Sequence, residues 1–495
     1  MLNSQKTSRT GDSELDGAAD GPGTLGPDAC PVDHGLEQSS PGRPGPARPT
    51  RAIPYTELPG PRMPTAMQIL GYWTRPTAFM ERCRARYGSR FPLRIRVPPK
   101  PLVVLSSPED VKQLFQAPSD VLYAGDGSAT IEKYTGQSGL AWLDEDDHLA
   151  RRKLMNPSMH GAAMEGIETA IVEITERELS SWPRGEVVAL HPLVHRLTLN
   201  VMRQVTFGPE PDQRLDELID VLADMMRFNA SPVSVFQIHT MPPKAVRALI
   251  ACRPVGLHRF LELRGHADRL IGEVVEDRRR TDARGKDLVS LLLSSRRDDG
   301  SELDSVELRD EIMTIFLAGT ETTAATIAWA VEHLSRLPAV RERLVDEIDA
   351  GQGDAYLTAT VQEMLRMRPP LPQIIPREVM KPIEIGGVRY EPGVHLWASP
   401  YLLHHDPAIY PDPYAFRPER FLEKGPGTYT WIPFGGGRRR CLGAGIATLE
   451  TKHVLREVLA RYELRRESPQ PEPTRSRIVT ITPGRGVRIA LSDRA

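Results

Sequence analysis

The stretch FGGGRRRCLG, residues 434–443, places one cysteine in a glycine-rich loop directly before an amphipathic helical pattern. Its three consecutive glycines carry no Cβ, so the backbone can turn tightly and approach a flat ligand closely. The pattern over 442–459 predicts a helix whose N-terminal amides lie beside Cys441, and such surroundings lower the pKa of a thiol. The loop therefore predicts a single cysteine thiolate presented to a metal ion.

The spacing F-x-x-G-x-R-x-C-x-G in this loop resembles the haem-ligand loop of the cytochrome P450 family. The resemblance implies a mainly α fold with a minor β-sheet, organised around a long central helix. It implies haem b as the cofactor, Cys441 as the ligand of its iron, and haem contacts from Phe434, Arg439 and Gly443. An inert buried thiol is the more common state of a lone cysteine, but the fixed positions around Cys441 favour ligation.

The segment 306–337 predicts one helix of about 30 residues, about 45 Å long. Its centre, AGTETT at 318–323, is unusual in a buried helix, because glycine costs about 1 kcal/mol relative to alanine and threonine competes for backbone carbonyls. We expect a local disruption that opens a groove for O2 and water, and a tolerated kink without function is the alternative.

The same centre resembles the family's A-G-x-[DE]-T segment, which implies that Glu321 and Thr322 are the catalytic acid and alcohol that deliver protons to dioxygen. A shifted register would give the role of the alcohol to Thr320 or Thr323.

Haem carries two propionates, so its pocket needs fixed cationic donors. His148 and Arg152, four residues apart, resemble the family's H-x-x-x-R segment, and Arg377 and Arg439 occupy further positions of the family pattern. The resemblance implies that these four residues bind the cofactor, whereas each of them taken alone is as consistent with a surface role.

Two charged segments are expected to be structural. Glu363 and Arg366 lie three residues apart on one predicted helical face, and FRPERF follows at 416–421. This order resembles the family's E-x-x-R helix and P-E-R-F segment, which implies an ion network that holds the cysteine loop. Arg438, Arg440 and the basic run 151–153 are expected to form a docking patch for an acidic electron donor, with solvated surface charge as the alternative.

Composition and charge limit the classes of protein to which the chain can belong. The 495 residues carry 63 Lys and Arg against 65 Asp and Glu, so the net charge of −2 gives no case for nucleic-acid binding. The four cysteines form no C-x-x-C pair, which favours a reducing cytoplasm, and no apolar window is long enough to predict a membrane span. Residues 1–52, rich in Gly and Pro, predict a disordered leader before one domain at 53–495.

Helical periodicity dominates from residue 64 onward. Short strands are expected at 101–106, 379–389 and 478–491, and 231–254 predicts a loop that serves as a lid. Four segments are expected to line a substrate pocket, and their side chains are a mixture of apolar and small ones. They are 122–140, 231–241, 318–322 and 371–375.

The resemblance as a whole implies a monooxygenase that inserts one atom of O2 into a hydrophobic small molecule, by hydroxylation or epoxidation, in bacterial secondary metabolism. Electrons are expected from NAD(P)H through ferredoxin reductase and ferredoxin, and the enzyme is expected to be a cytoplasmic monomer. A peroxide-driven or isomerising haem-thiolate enzyme and a non-catalytic haem-binding sensor are the alternatives. The sequence does not identify the substrate.

Overall fold

A computed structural model describes residues 52–494, apart from 96–99, 126, 129–130, 162, 229–256, 282–284, 286, 298–299, 352 and 478. The predicted leader, except for residue 52, and the predicted lid loop at 231–254 lie outside the described residues.

Helices make up most of the described chain. They are α1 (Thr65–Thr74), α2 (Pro76–Tyr87), α3 (Pro108–Gln116), α4 (Glu132–Thr135), α5 (Glu145–Met155), α6 (Ala163–Ser180), α7 (Leu190–Phe207), α8 (Gln213–Phe228), α9 (Leu257–Thr281), α10 (Leu288–Ser294), α11 (Ser305–Arg336), α12 (Pro338–Ala350), α13 (Ala355–Met367), α14 (Pro400–His404), α15 (Glu419–Glu423) and α16 (Ala444–Arg461).

The strands are short. They are β1 (Ile53–Pro54), β2 (Arg90–Leu93), β3 (Leu102–Leu105), β4 (Leu122–Tyr123), β5 (Val187–Ala189), β6 (Arg377–Val379), β7 (Ile383–Ile385), β8 (Val388–Tyr390), β9 (His395–Ala398), β10 (Tyr462–Arg466), β11 (Thr474–Arg477), β12 (Thr480–Pro483) and β13 (Arg488–Asp493). The largest sheet has the order β2-β3-β9-β6-β4, with β3 and β9 parallel and the other pairs antiparallel. The predicted class, mainly α with a minor β-sheet, is confirmed.

Two predicted strands are each divided by glycine turns. The segment 379–389 contains the end of β6 and then β7 and most of β8, joined by Gly386 and Gly387 with φ of 59° and 74°. The segment 478–491 contains β12 and most of β13, separated by a turn in which Gly486 has φ of 76°. Positive φ is unfavourable for other residues, so the glycines end the strands.

The central helix α11 begins with a capping box. Asp304 accepts hydrogen bonds from the N–H groups of Val306 and Glu307, and the Glu307 carboxylate accepts one from the Asp304 N–H at 3.0 Å. Its 32 residues span about 48 Å, and only Leu337 separates it from α12, which begins at Pro338. The predicted bounds, 306–337, are wrong by one residue at each end.

The predicted disruption at the centre of α11 is wrong, because the helix continues unbroken through Gly319. A Cβ on Gly319 would lie 2.5 Å from Sδ of Met202, which belongs to α7. The glycine therefore allows two helices to approach closely. The hydroxyls of Thr320 and Thr322 donate to carbonyls one turn earlier and leave the helical bonds in place.

The predicted ion pair between Glu363 and Arg366 is present in α13, and both side chains are fully buried. Arg366 Nε donates to Glu363 Oε2 at 2.7 Å, while Glu363 Oε1 accepts from Arg366 Nη2 at 2.9 Å and from the Arg417 N–H at 2.8 Å. Arg366 also donates to the carbonyls of His404 and Pro413. The pair thereby joins α13 to the two segments that precede the cysteine loop.

The hairpin of β11 and β12 packs against α11. Trp329 Nε1 of the helix donates to the Ile481 carbonyl at 3.2 Å, and the Ile481 N–H donates to the Pro370 carbonyl at 2.9 Å. All four residues of β12 are buried. The hairpin thus fixes the C-terminal half of the central helix against the turn that follows α13.

Candidate haem-thiolate site

The cysteine loop, residues 434–443, turns back on itself before α16. The Cys441 N–H donates to the Phe434 carbonyl at 2.9 Å, and Gly435 and Gly437 have φ of 66° and 61°. A Cβ on Gly436 or Gly437 would overlap Phe115 of α3. The glycines are therefore needed for the turn and for close packing against α3, and α16 begins at Ala444, two residues later than predicted.

A cavity of about 330 Å³ lies between this loop, α5, α11 and the chain at 370–377. Cys441 is accessible from the cavity although protein surrounds it. Of the segments predicted to line a substrate pocket, residues from 122–140, 318–322 and 371–375 border this cavity, and 231–241 lies outside the described residues.

The pKa of the Cys441 thiol is raised, because the loss of water disfavours the thiolate. The Gly443 N–H, Arg152 and Arg440 act in the opposite direction but are weaker. The expectation of a lowered thiol pKa is therefore wrong for the protein alone, since it counted the nearby positive charge and left out the desolvation.

The four residues predicted to bind haem propionates come together. His148, Arg152, Arg377 and Arg439 all border the cavity. Burial, followed by repulsion from the three arginines, lowers the pKa of His148 to about 3, so its ring is neutral at neutral pH.

The arginines of this group differ in how their charge is balanced. Arg439 forms an ion pair with Asp144 and donates to the Leu143 carbonyl. Arg152 donates to the Arg440 carbonyl at 2.7 Å and Arg377 to the Ile375 carbonyl at 3.4 Å, and neither has a carboxylate partner within the described part of the chain. Burial, then repulsion from Arg439, lowers the pKa of Arg377 to about 9.

This donor set fits haem. A cysteine thiol and two guanidinium groups that have no carboxylate partner among the described residues border one cavity, and haem combines a metal that binds thiolate with two carboxylates that bind arginine. The residues present therefore suit a flat, dianionic cofactor with a metal centre.

Glu321 and Thr322 face different sides of α11. Thr322 borders the cavity, and its hydroxyl donates to the Ala318 carbonyl at 2.7 Å. Thr323 also borders the cavity, whereas Thr320 does not. Glu321 is not among the cavity residues; its carboxylate lies behind the helix.

The carboxylate of Glu321 belongs to a buried cluster. Its Oε1 lies 3.5 Å from His191 Nε2 and 3.5 Å from Arg477 Nη1, and its Oε2 lies 3.4 Å from His195 Nε2. Burial raises the pKa of Glu321 to about 7, with a weaker lowering by Arg477, and lowers the pKa of His195 to about 3. The predicted acid and alcohol are therefore not brought together in the cavity.

Two buried carboxyl groups that border the cavity were missed by the sequence analysis. Glu450 follows Cys441 by nine residues on α16, and burial raises its pKa. Glu311 precedes Thr322 by eleven residues on α11, which is close to three full turns and places both on one helical face. Counting helical positions back from Thr322 would have found Glu311, since the sequence already predicted α11.

The predicted basic docking patch is smaller than expected. Arg151 is buried and bonds to Glu307 and Glu311 at 2.9 Å each, and Arg152 borders the cavity. Lys153, Arg438 and Arg440 remain exposed.

The chain is similar to known proteins over most of its length. The family model "Cytochrome P450" matches residues 54–488. "Putative cytochrome P450 135B1" of Mycobacterium tuberculosis is 32% identical over 438 residues, which cover 87% of this chain and 90% of the relative. "Putative cytochrome P450 138" of the same organism is 33% identical over 452 residues, which cover 91% and 98%.

Two solved structures share the fold. The retinoic acid-bound cyanobacterial CYP120A1 matches with a TM-score of 0.76 and 21% identity over 90% of this chain and 100% of that one. The haem domain of cytochrome P450DA matches with a TM-score of 0.76 and 21% identity over 90% and 99%. Among the helices that the structure describes, none has both the length and the apolar character needed to cross a bilayer.

Proposed function

Because the chain belongs to the cytochrome P450 family, we propose that it is a haem-thiolate monooxygenase that hydroxylates or epoxidises a hydrophobic small molecule in bacterial secondary metabolism. One observation carries the proposal: the Cys441 thiol borders the same cavity as Arg152 and the buried Arg377, and neither arginine has a carboxylate partner within the described residues. Haem bound there supplies the activation of O2 and the transfer of one oxygen atom to substrate.

The residues around the cavity are assigned as follows. Cys441 ligates the iron, with its backbone held by Phe434 and the start of α16 beyond Gly443. Arg152, Arg377 and Arg439 bind the propionates. His148 is neutral and donates a hydrogen bond to the same groups.

Proton delivery is assigned to α11. The Thr322 hydroxyl borders the cavity, which supports a role for it in passing protons to O2. Glu321 is proposed as the acid that supplies this route from behind the helix, through rotation of its side chain away from Arg477. Its pKa of about 7 allows it to exchange a proton near neutral pH.

Electrons are proposed to come from NAD(P)H through ferredoxin reductase and a ferredoxin that docks at Lys153, Arg438 and Arg440. Arg438 and Arg440 belong to the cysteine loop, and Arg152, the residue before Lys153, donates to the Arg440 carbonyl. Complementary charge speeds the encounter with an acidic donor. A cytoplasmic monomer belongs to the same proposal; Cys83 and Cys441 are free thiols, as a reducing compartment favours.

Reconstitution of the haem-loaded protein with ferredoxin, its reductase and a panel of hydrophobic compounds tests the proposal. The expected result is substrate-dependent NAD(P)H consumption and a product heavier by one oxygen atom. Turnover with hydrogen peroxide alone would indicate the peroxide-driven alternative, and haem binding without any product would indicate the sensor. Cys441→Ser is the control, and it should abolish the thiolate-type spectrum of the ferrous carbonyl complex.

A further inference from the structure

We propose that the outward side of α1, together with the exposed arginines beside it, is a peripheral membrane-binding surface that holds the enzyme reversibly on an anionic phospholipid bilayer. This surface, called the α1 face below, consists of Met63, Met67, Leu70, Arg62, Arg75, Arg94 and Arg475. None of these residues borders the cavity next to Cys441. The inference therefore does not depend on the haem site.

The outward side of α1 is apolar. Met67 and Leu70 are 57% and 62% exposed, and they lie three residues apart on one side of the helix. Met63, one residue before the N-cap, is 40% exposed. The ten residues of α1 include no charged side chain. Surface helices normally place charged and polar side chains on their outer side, so α1 departs from the pattern of a helix that faces only water.

The inner side of α1 is fixed to the rest of the fold. Tyr72 is buried, and its hydroxyl donates to Gln373 Oε1 at 2.7 Å. Gln68 is also buried, and its Nε2 donates to the Met63 carbonyl at 2.9 Å. Rotation of the helix to bury its outward side would break these contacts. The apolar side chains of the α1 face therefore stay exposed in the isolated enzyme.

Arginines from three separate segments lie beside this helix. Arg62 and Arg75 flank its two ends, the Arg94 N–H donates to a glutamine of α1 at 2.9 Å, and Arg475 belongs to β11, which packs against α1. All four side chains are exposed, and none has a carboxylate partner within the described part of the chain. No Asp or Glu occurs from residue 58 to residue 80. The local charge is therefore positive, although the whole chain has a net charge of −2.

This combination matches an anionic bilayer. Apolar side chains enter the boundary between headgroups and acyl chains, while arginines bind phosphate groups at the same surface. A stable protein partner fits less well, because such an interface buries about 800 Å² on each partner and three large apolar side chains are too few for that. A reversible contact of this kind is compatible with the cytoplasmic location proposed above.

Binding of the haem-loaded protein to vesicles tests the proposal. Vesicles of phosphatidylcholine with about 30% phosphatidylglycerol are compared with vesicles of phosphatidylcholine alone by co-sedimentation at low salt. We expect the anionic vesicles to bind the protein about tenfold more tightly. About 1 M salt should remove this preference, because it screens the exposed charges.

The methionines of the chain report which surface makes the contact. Chloramine-T oxidises exposed thioethers to sulfoxides, which mass spectrometry detects in the peptides. Met63 and Met67 belong to the α1 face, whereas Met380 is 42% exposed and lies outside it. Anionic vesicles should slow the oxidation of Met63 and Met67 by about fivefold and leave that of Met380 unchanged.

Substitution of the apolar side chains should weaken the binding. Met67→Gln combined with Leu70→Gln should reduce the affinity for anionic vesicles by about tenfold, because both side chains lose most of their gain on leaving water. Met380→Gln combined with Leu422→Gln is the matched control. It makes the same chemical changes at positions outside the α1 face that are 42% and 43% exposed, and it should bind as wild type does.

Substitution of the arginines tests the electrostatic part. Arg62→Gln combined with Arg75→Gln should also reduce the affinity for anionic vesicles by about tenfold and should weaken its dependence on salt. Binding to vesicles of phosphatidylcholine alone should stay unchanged in this variant, since those vesicles carry no net charge.

Each outcome decides the inference. It is overturned if anionic vesicles do not bind wild type, if the Met67 and Leu70 variant binds as tightly as wild type, or if the control variant loses as much affinity. It is also overturned if Met67 of the vesicle-free protein is oxidised as slowly as the fully buried Met80, because the α1 face would then be covered by protein. A missing thiolate-type carbonyl spectrum together with the expected vesicle binding would reject the proposed function and support this inference.

Discussion

Substitution of Glu363 by Gln should destabilise the fold by about 3–5 kcal/mol, the usual cost of removing one partner from a buried ion pair. Glu363 and Arg366 are both fully buried, and the two carboxylate oxygens accept three hydrogen bonds, two from Arg366 and one from the Arg417 N–H. In either orientation the amide of a glutamine would turn an N–H toward at least one of these donors, and Arg366 would keep an unbalanced charge. Urea unfolding followed by tryptophan fluorescence measures the loss, with Trp431, which donates to the Gln362 carbonyl, as a nearby probe.

Glu419→Gln is the matched control for this measurement. Glu419 lies in the same P-E-R-F segment and pairs with Arg343 at 2.9 Å, but their side chains are 37% and 52% exposed. Solvated pairs of this kind contribute less than about 1 kcal/mol. If Glu363→Gln changed the free energy of unfolding by no more than the control does, the assignment of the buried pair as the anchor of the cysteine loop would be refuted.

Three further substitutions test two residues of the cavity, Arg377 and Thr322, and one buried histidine, His405. Arg377→Leu should stabilise the haem-free protein, because it removes a buried cation that has no carboxylate partner in the described residues. The same substitution should speed the transfer of haem to apomyoglobin by about tenfold. Slower haem loss would contradict the assignment of Arg377 to a propionate. Thr322→Ala should keep the thiolate-type carbonyl spectrum but divert electrons to peroxide, which a peroxide assay against NAD(P)H consumption measures; normal coupling would reject its role. Burial lowers the pKa of His405 to about 3 in the folded protein, from an ordinary value of 6.5. Between these two pH values the unfolded chain binds a proton that the folded chain does not, so the stability of the fold falls as the pH decreases. Between pH 7 and pH 5, the free energy of unfolding of wild type should fall by about 2 kcal/mol more than that of His405→Asn. Urea titrations at both pH values measure the two losses, and equal losses would exclude His405 as the cause.

The sequence predicted the features that are local in the chain. The cysteine loop and α16 follow from a short glycine-rich motif and the helical periodicity after it, and α11 follows from periodicity over 32 residues. Both helices were correct to within two residues.

What the sequence could not predict depends on partners that are distant in the chain. Neighbouring helical positions such as Glu321 and Thr322 differ by about 100° around the axis, so only one of them can face a given side. The side is decided by His191 and His195 of α7, more than a hundred residues earlier, which lie against Glu321. Arg151 was likewise assigned to the surface because its carboxylate partners, Glu307 and the buried Glu311, belong to a helix far along the chain.

The long sequence separation between α11 and the β11–β12 hairpin has a consequence for synthesis on the ribosome. Trp329 bonds to the carbonyl of Ile481, which is 152 residues later in the chain, and Glu321 lies beside Arg477, which is 156 residues later. Until these residues have been synthesised, the nascent central helix exposes an indole and a carboxyl group whose native neighbours do not yet exist, and such contacts of long sequence separation form slowly. Premature termination before residue 474 would therefore release a chain whose central helix lacks its covering hairpin, a form that chaperones bind and proteases degrade.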